Sequence, residues 1–171
     1  ASDNTAVGKH SLRLNTTGAS NTAVGKDSLG ANTTADNNTA VGTAALAANT
    51  TGTRSVAVGH NALALATTGG YNVGIGAFAG DAITTGLRNV AIGDAALTAL
   101  TTGTDNTSIG DQTLKVNTAS NNTSIGSHSM FANTSGDENV AVGKDALDAN
   151  TTGGGNSALG YASLTSNTTG A

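Results

Sequence analysis

Few residues in this chain combine a type and a spacing that could do chemistry. The nearest to a motif is Gly74-Ile75-Gly76-Ala77-Phe78-Ala79-Gly80. Glycines so spaced cradle a pyrophosphate when they open a helix inside a βαβ unit. Two of these glycines stand where the rest of the chain also carries Gly or a small residue, and no βαβ pattern surrounds them, so no nucleotide cofactor is expected. His10, His60 and His128 lack Cys or paired carboxylates at ligand spacing and read as solvated surface residues, with no metal expected. No Ser, His and Asp recur together as a triad requires, so no catalytic residue is assigned and the chain is read as not an enzyme. The Gly-Gly and in-line Asp nonapeptide of calcium-binding β-rolls is absent. Six segments, Asn15-Thr16-Thr17, Asn32-Thr33-Thr34, Asn49-Thr50-Thr51, Asn133-Thr134-Ser135, Asn150-Thr151-Thr152 and Asn167-Thr168-Thr169, match the N-glycosylation acceptor pattern. They fall in a repeated turn, where a structural Asn and Thr ladder accounts for them without sugar.

What positions all of these residues is a repeat. Gly8, Gly25, Gly42, Gly59, Gly76, Gly93, Gly110, Gly126, Gly143 and Gly160 mark ten copies spaced by seventeen residues, with a single step of sixteen from Gly110 to Gly126. A fixed period of this kind is the mark of a stacked architecture. Numbered from its Asn, the unit reads N-T-A-V-G-x-x-A-L-x-x-N-T-T-G-x-x. Column four is apolar in every copy, column nine is Leu in most, column three is always small and column thirteen is Thr from Thr16 to Thr168. After the opening residues, charged residues and His fall only in columns six, seven, ten, sixteen and seventeen, which must therefore face solvent.

Composition points the same way. With no Pro, Cys or Trp, 24 Gly and 11% charged residues, the chain is far from the roughly 25% charged content of an average globular domain. Disorder goes with high net charge and few β-branched residues, whereas here the charge is -4 and Val, Ile and Thr recur in phase. There is no basic patch for a phosphate backbone, so no nucleic-acid partner is expected, and no apolar run long enough to span a bilayer. The lack of Cys excludes disulfides. The chain opens in mid-repeat without Met and is read as a piece of a longer fibre, one repeat array over 1–171.

The periodic Gly and N-T-T-G leave no room for stable helices. Thr-Ala-Val alternates as a strand does, Gly turns the chain, a second extended stretch is expected to carry the Leu, and N-T-T-G closes the coil. The fold class is thus all-β: a parallel β-solenoid or β-roll of ten 17-residue coils, forming a rod of roughly 48 Å at the inter-strand spacing of about 4.8 Å. The expected structural core is column four (Val7, Val24, Val41, Val58, Ile75, Ile92, Ile109, Ile125, Val142, Leu159) together with Leu29, Leu46, Leu63 and Leu97 of column nine. Gly80 replaces the Leu of the fifth copy, and Phe78 and Ile83 are expected to restore its volume. The short copy loses its residue near Thr118-Ala119-Ser120, in a turn, where no side chain changes face.

Two aliphatic side chains per coil contribute about 1.5 to 3 kcal/mol each, against an ordering cost on the order of 1 to 2 kcal/mol per residue. That core is thin. The first strand also has no face suited to water, and a strand buried on both sides needs a cover for its second side. A further copy of the chain is the simplest one.

The phrases Asn139-Val140-Ala141-Val142-Gly143, Asn89-Val90-Ala91-Ile92-Gly93 and Asn122-Thr123-Ser124-Ile125-Gly126 resemble the head repeats of trimeric autotransporter adhesins. The longer unit is similar to repeats of bacteriophage tail fibres. This resemblance implies a left-handed β-roll, three chains around one axis, and adhesion or receptor binding at a bacterial cell surface or virion. Adhesin head repeats are typically shorter than seventeen residues, which bears on turn geometry and chain contacts. The expected function is a non-enzymatic extracellular fibre or adhesin segment, a stiff rod whose partners are further copies and a host-surface receptor or glycan. Candidate surface-binding residues are those that break the pattern on exposed columns: Arg54, Tyr71, Arg88 and Tyr161. Two rivals stand beside it. One is a self-assembling filament with coils continuing end to end between subunits. The other is an ice-binding solenoid, for which columns twelve and fourteen would supply an outward Asn and Thr rank, interrupted by Ala66, Ile83 and Leu100.

Overall fold

The computed structural model describes residues 1–170. Among these there is no helix, and every copy of the repeat contributes one three-residue strand. The strands are β1 Thr5–Val7, β2 Thr22–Val24, β3 Thr39–Val41, β4 Val56–Val58, β5 Val73–Ile75, β6 Val90–Ile92, β7 Thr107–Ile109, β8 Thr123–Ile125, β9 Val140–Val142 and β10 Ser157–Leu159. They form one parallel sheet in chain order, β1 to β10. Equivalent residues face one another on neighbouring strands, as in Thr22↔Thr39, Ala23↔Ala40 and Val24↔Val41. The protein is a β-solenoid whose rungs are the sequence repeats.

The short copy keeps this register, with Thr107↔Thr123 and Ile109↔Ile125 paired across it. Its turn absorbs the loss. Asn117 Nδ2 donates to the Ala119 carbonyl two residues on at 3.0 Å, where Asn49 reaches Gly52, three residues on.

The second extended stretch is not formed. From the column-five Gly to the column-twelve Asn the chain is a run of turns, and column nine sits in the left-handed region, as at Leu46 (φ 49°), Leu63 (φ 50°) and Leu147 (φ 50°). Columns seven and seventeen adopt it too, for example Asn61 (φ 55°) and Arg54 (φ 58°). Such a backbone costs a non-glycine residue about 1–2 kcal/mol. It persists because the turns are themselves stacked: Asn61 N–H donates to Thr43 O at 3.0 Å in the preceding coil, and Leu63 N–H to Ala79 O at 3.0 Å in the following one.

The interior is built from columns three, eight and nine. Leu29, Leu46, Leu63, Leu97, Leu114, Met130 and Leu147 are fully buried, with Ala23, Ala40, Ala57, Ala91 and Ala141 opposite them. Column four is a correction to the sequence reading. Val7, Val24, Val41, Val58, Ile75, Ile92, Ile109, Ile125, Val142 and Leu159 lie on the outer face, half-buried or exposed, and none of them is in the core. Alternation lets only the middle residue of a three-residue strand point inward, and the space there is set by the Leu column. A Cβ built at Gly74 would lie 2.8 Å from Leu63 Cγ, so column three has room only for small residues, and Gly, Ala and Ser are the ones found there. Ile83 restores the volume missing at Gly80, being fully buried. Phe78 does not; it is exposed and packs its ring edge-on against His60.

In coils seven and eight the inner small residues become polar. Ser108, Thr113, Ser124 and Ser129 are fully buried, and they satisfy one another: Thr113 Oγ1 donates to Ser124 Oγ at 2.7 Å and Ser124 Oγ to Ser129 O at 3.0 Å. Buried hydroxyls are tolerated when so paired.

An Asn of column one or twelve closes every coil but the fourth, where Ser55 and Ala66 stand in those places. Asn38 of column one and Asn49 of column twelve both donate to the Gly52 carbonyl, at 2.9 and 3.0 Å. Column one also links coils, because each Asn Oδ1 accepts the backbone N–H of its successor, as with Asn106 N–H on Asn89 Oδ1 at 3.0 Å. In column twelve Nδ2 reaches back to the previous Oδ1, Asn32 to Asn15 at 2.9 Å and Asn49 to Asn32 at 3.0 Å. The ladder stops where Ala66 follows, which leaves Asn49 Oδ1 buried and unpartnered.

Candidate functional surface

No cavity is found among the described residues, and no cluster of three or more His, Cys, Asp or Glu is placed to hold a metal ion. What the fold offers is surface, organised in lines that run along the stack because residues seventeen apart lie on successive rungs.

The first line is column seventeen. It brings three of the sequence candidates together, Arg54, Tyr71 and Arg88 standing on consecutive rungs. Arg54 Nη1 donates to the Tyr71 hydroxyl at 2.6 Å with its guanidinium 5.4 Å from the ring centroid. Arg88 grips Asp105 through two bonds, Nε to Oδ1 at 2.7 Å and Nη2 to Oδ2 at 2.9 Å. That bidentate contact holds the Asp105 carboxyl below the usual carboxylate range. Tyr161 is not part of this line. It lies in column six of the last coil, beside the Lys144 ammonium at 5.6 Å. Asp105, the partner of Arg88, was missed because an Asp on an exposed column is unremarkable until the stack places it next to the arginine.

The second line is the outer face of the sheet. Columns two and four place side by side Thr5 and Val7, Thr22 and Val24, Thr39 and Val41, Val56 and Val58, Val73 and Ile75, and their equivalents to Ser157 and Leu159. No charged residue occurs in either column. Even in the middle of the stack these aliphatics remain open, with Val58 37% and Ile75 38% exposed. The column-twelve Asn that would have formed an outward rank with column fourteen are instead buried, as Asn32, Asn49, Asn117, Asn133 and Asn150 show.

One titratable group is strained by its setting. Burial pushes the Asp81 carboxyl above its ordinary range, opposed by hydrogen bonds from the Ala82 and Asp81 backbone, and its Oδ1 has no partner. A raised folded-state pKa means that stability is greatest below the unfolded value and falls as pH rises through the folded one. Asp81→Ala, which restores the residue found at Ala47 and Ala64 of the same column, is therefore expected to raise the melting temperature slightly at pH 7 and to leave it unchanged at acid pH. Equal shifts at both pH values would contradict this.

Compared with protein-family models, curated proteins and solved structures, the chain shows no significant match to any.

Proposed function

We propose that this chain is a stiff, non-enzymatic segment of an extracellular fibre or adhesin. It acts at a bacterial cell surface or phage virion, where copies pack side by side and the outer columns meet a host receptor or glycan. The observation that carries this reading is the unbroken register of ten coils in one sheet, which makes a rod that repeats its surface at every rung. The resemblance of the N-V-A-V-G and N-T-S-I-G phrases to adhesin heads supplies the left-handed coil and the three-chain assembly. Repetition gives multivalence, so weak contacts to a repeated receptor sum along the rod. Arg54, Tyr71 and Arg88, and separately Tyr161, are the side chains proposed to contact the receptor.

Two measurements test this. Electron microscopy of the full chain is expected to show discrete rods about 43 Å long, nine rung spacings of about 4.8 Å; indefinite threads would favour a self-assembling filament instead. Alanine at Arg54, Tyr71, Arg88 and Tyr161 together is expected to abolish attachment to the host surface, and unchanged attachment would remove these residues from the reading.

A second reading is favoured by the outer sheet face. Its paired ranks of Thr, Val and Ile are regularly spaced and uncharged, as an ice-binding face requires. Thermal hysteresis in solution would support it, and its absence would dismiss it.

A further inference from the structure

We infer that Arg54 and Tyr71 form a site for one carboxylated sugar, a hexuronate or a sialic acid, that ends an otherwise neutral glycan. This rests on the reading of the chain as a receptor-binding rod. It names the chemistry of the ligand and narrows the four candidate contacts to two.

The first argument is the hydrogen-bond inventory of the pair. Arg54 has no carboxylate partner among the described residues, whereas Arg88 gives both Nε and Nη2 to Asp105. Asp36, the carboxylate that precedes Arg54 in the chain, sends its Oδ1 to the Ala19 N–H in the coil before. Of the five guanidinium donors one is spent on the Tyr71 hydroxyl. That oxygen accepts, so its own hydrogen stays free. The rest of the fork and this hydrogen surround one positive charge with donors, and a planar guanidinium grips a carboxylate through two parallel bonds. The ring, 5.4 Å from the guanidinium, holds the fork in place beforehand, so little freedom is lost on binding.

The second argument is charge along the rod, and it limits the ligand to one acidic group. Residues 37–93 hold two cations, Arg54 and Arg88, and one carboxylate, Asp81, a balance of +1; the other five cations and ten carboxylates of the chain leave -5. Asp81 belongs to column ten and not to the line of Arg54. A long polyanion laid along the rod would run onto its acidic ends, where like charges repel. A single carboxylate at these coils meets only the cationic stretch.

The third argument is the ring. Tyr71 is 49% exposed, and its chain neighbours do not shield it, Gly70 having no side chain and Asn72 being buried. A tyrosine offers an apolar body and a polar tip. A sugar, which joins a C–H face to hydroxyls, uses both, whereas the carboxylate of an acidic peptide needs Arg54 alone.

Titration of the intact chain followed by NMR, which reads millimolar affinities, tests this. The probes are a neutral oligosaccharide ended by galacturonate, the same oligosaccharide ended by sialic acid, and both with the carboxylate converted to an amide. At least one acid is expected to bind, and neither amide. Arg54→Lys keeps the charge but loses the fork, and it is expected to weaken binding at least about tenfold, the scale of a hydrogen bond to a charged group. Tyr71→Ala is expected to do the same. Arg13→Ala, at an exposed arginine of column ten, is expected to leave binding unchanged, and circular dichroism checks that each variant keeps its fold. Failure of both acids to bind would overturn the proposal. So would wild-type binding by Arg54→Lys, or an equal loss in Arg13→Ala, because charge alone would then suffice. Polygalacturonate that bound more tightly per uronate would overturn the single-acid ligand, and equal binding of a neutral peptide ended by glutamate would give the site to a protein partner. Rods and host attachment without sugar-acid binding would leave the fibre reading standing while this site fell; sugar-acid binding by a chain that forms no rods would do the reverse.

Discussion

Gly93→Ala is expected to unfold the stack locally and to cost at least about 4 kcal/mol, in the range reached only by severe structural disruptions. Gly93 has φ 133°, where a side chain is strained, and a Cβ there would lie 2.6 Å from the carbonyl carbon of Gly110 in the next coil. Neither effect can relax cheaply. The obstructing atom is backbone, and it adjoins the bond from Gly110 N–H to Ile92 O at 2.7 Å that holds the two rungs together. Gly160→Ala supplies the control. Its φ is 119° but no atom lies within 4 Å of the added methyl, so only the strain of about 1–3 kcal/mol applies. Urea midpoints of the two variants separate clash from strain. If they fell equally, close approach of successive coils would not be the reason for glycine in column five.

Asn89→Ala carries the second largest expected loss, about 2–6 kcal/mol, from two buried backbone groups left without partners at ~1–3 kcal/mol each. Asn89 Nδ2 donates to Gly103 O at 2.9 Å and its Oδ1 accepts Asn106 N–H at 3.0 Å. One side chain thus closes its own coil and fastens the next. Ser55 shows a natural half-measure: its Oγ accepts Asn72 N–H at 3.2 Å, but a hydroxyl one atom from Cβ cannot span the coil as the amide does. Asn89→Asp distinguishes the two bonds. The carboxylate keeps the acceptor but presents negative charge to the Gly103 carbonyl, so burial and that carbonyl raise its pKa above the unfolded value. Its penalty is then full at neutral pH and declines as pH falls through that raised value, where the protonated oxygen donates to Gly103. Thermal melts at pH 7 and pH 4 should show Asn89→Asp recovering toward wild type while Asn89→Ala does not. A pH-independent Asn89→Asp would mean that the donor half of the contact is dispensable.

Both losses explain why the repeat tolerates so little change in columns one, five and fifteen while columns six, seven, ten, sixteen and seventeen vary freely. These nearly constant columns carry side-chain bonds and close approaches between coils. The variable ones need only their backbone to join coils, as Asn61 N–H does to Thr43 O, so their side chains are free to differ. Surface specificity therefore accumulates where it costs no stability, which is why the pairs Arg54 with Tyr71 and Arg88 with Asp105 sit in column seventeen.

The sequence by itself determined the period, the parallel stacking, the in-register pairing of residues seventeen apart, the burial of Leu29, Leu46, Leu63 and Leu97, and the harmless deletion near Ala119. Each follows from repetition, since a unit copied ten times and stacked must place like on like. Three features were decided only in the tertiary structure. The Leu column lies in left-handed turns because the following coil supplies hydrogen bonds that Leu, an unfavourable residue there, could not signal alone. The Asn of column twelve turn inward because two amides converge on one carbonyl closed by the whole coil. The strand pattern Thr-Ala-Val fits either orientation; Ala faces in and Val7, Val24 and their equivalents face out because the Leu side chains leave room there for Gly, Ala or Ser and nothing larger. Side-chain volume inside a closed coil, a property of three dimensions, set which face of the strand is left for a partner.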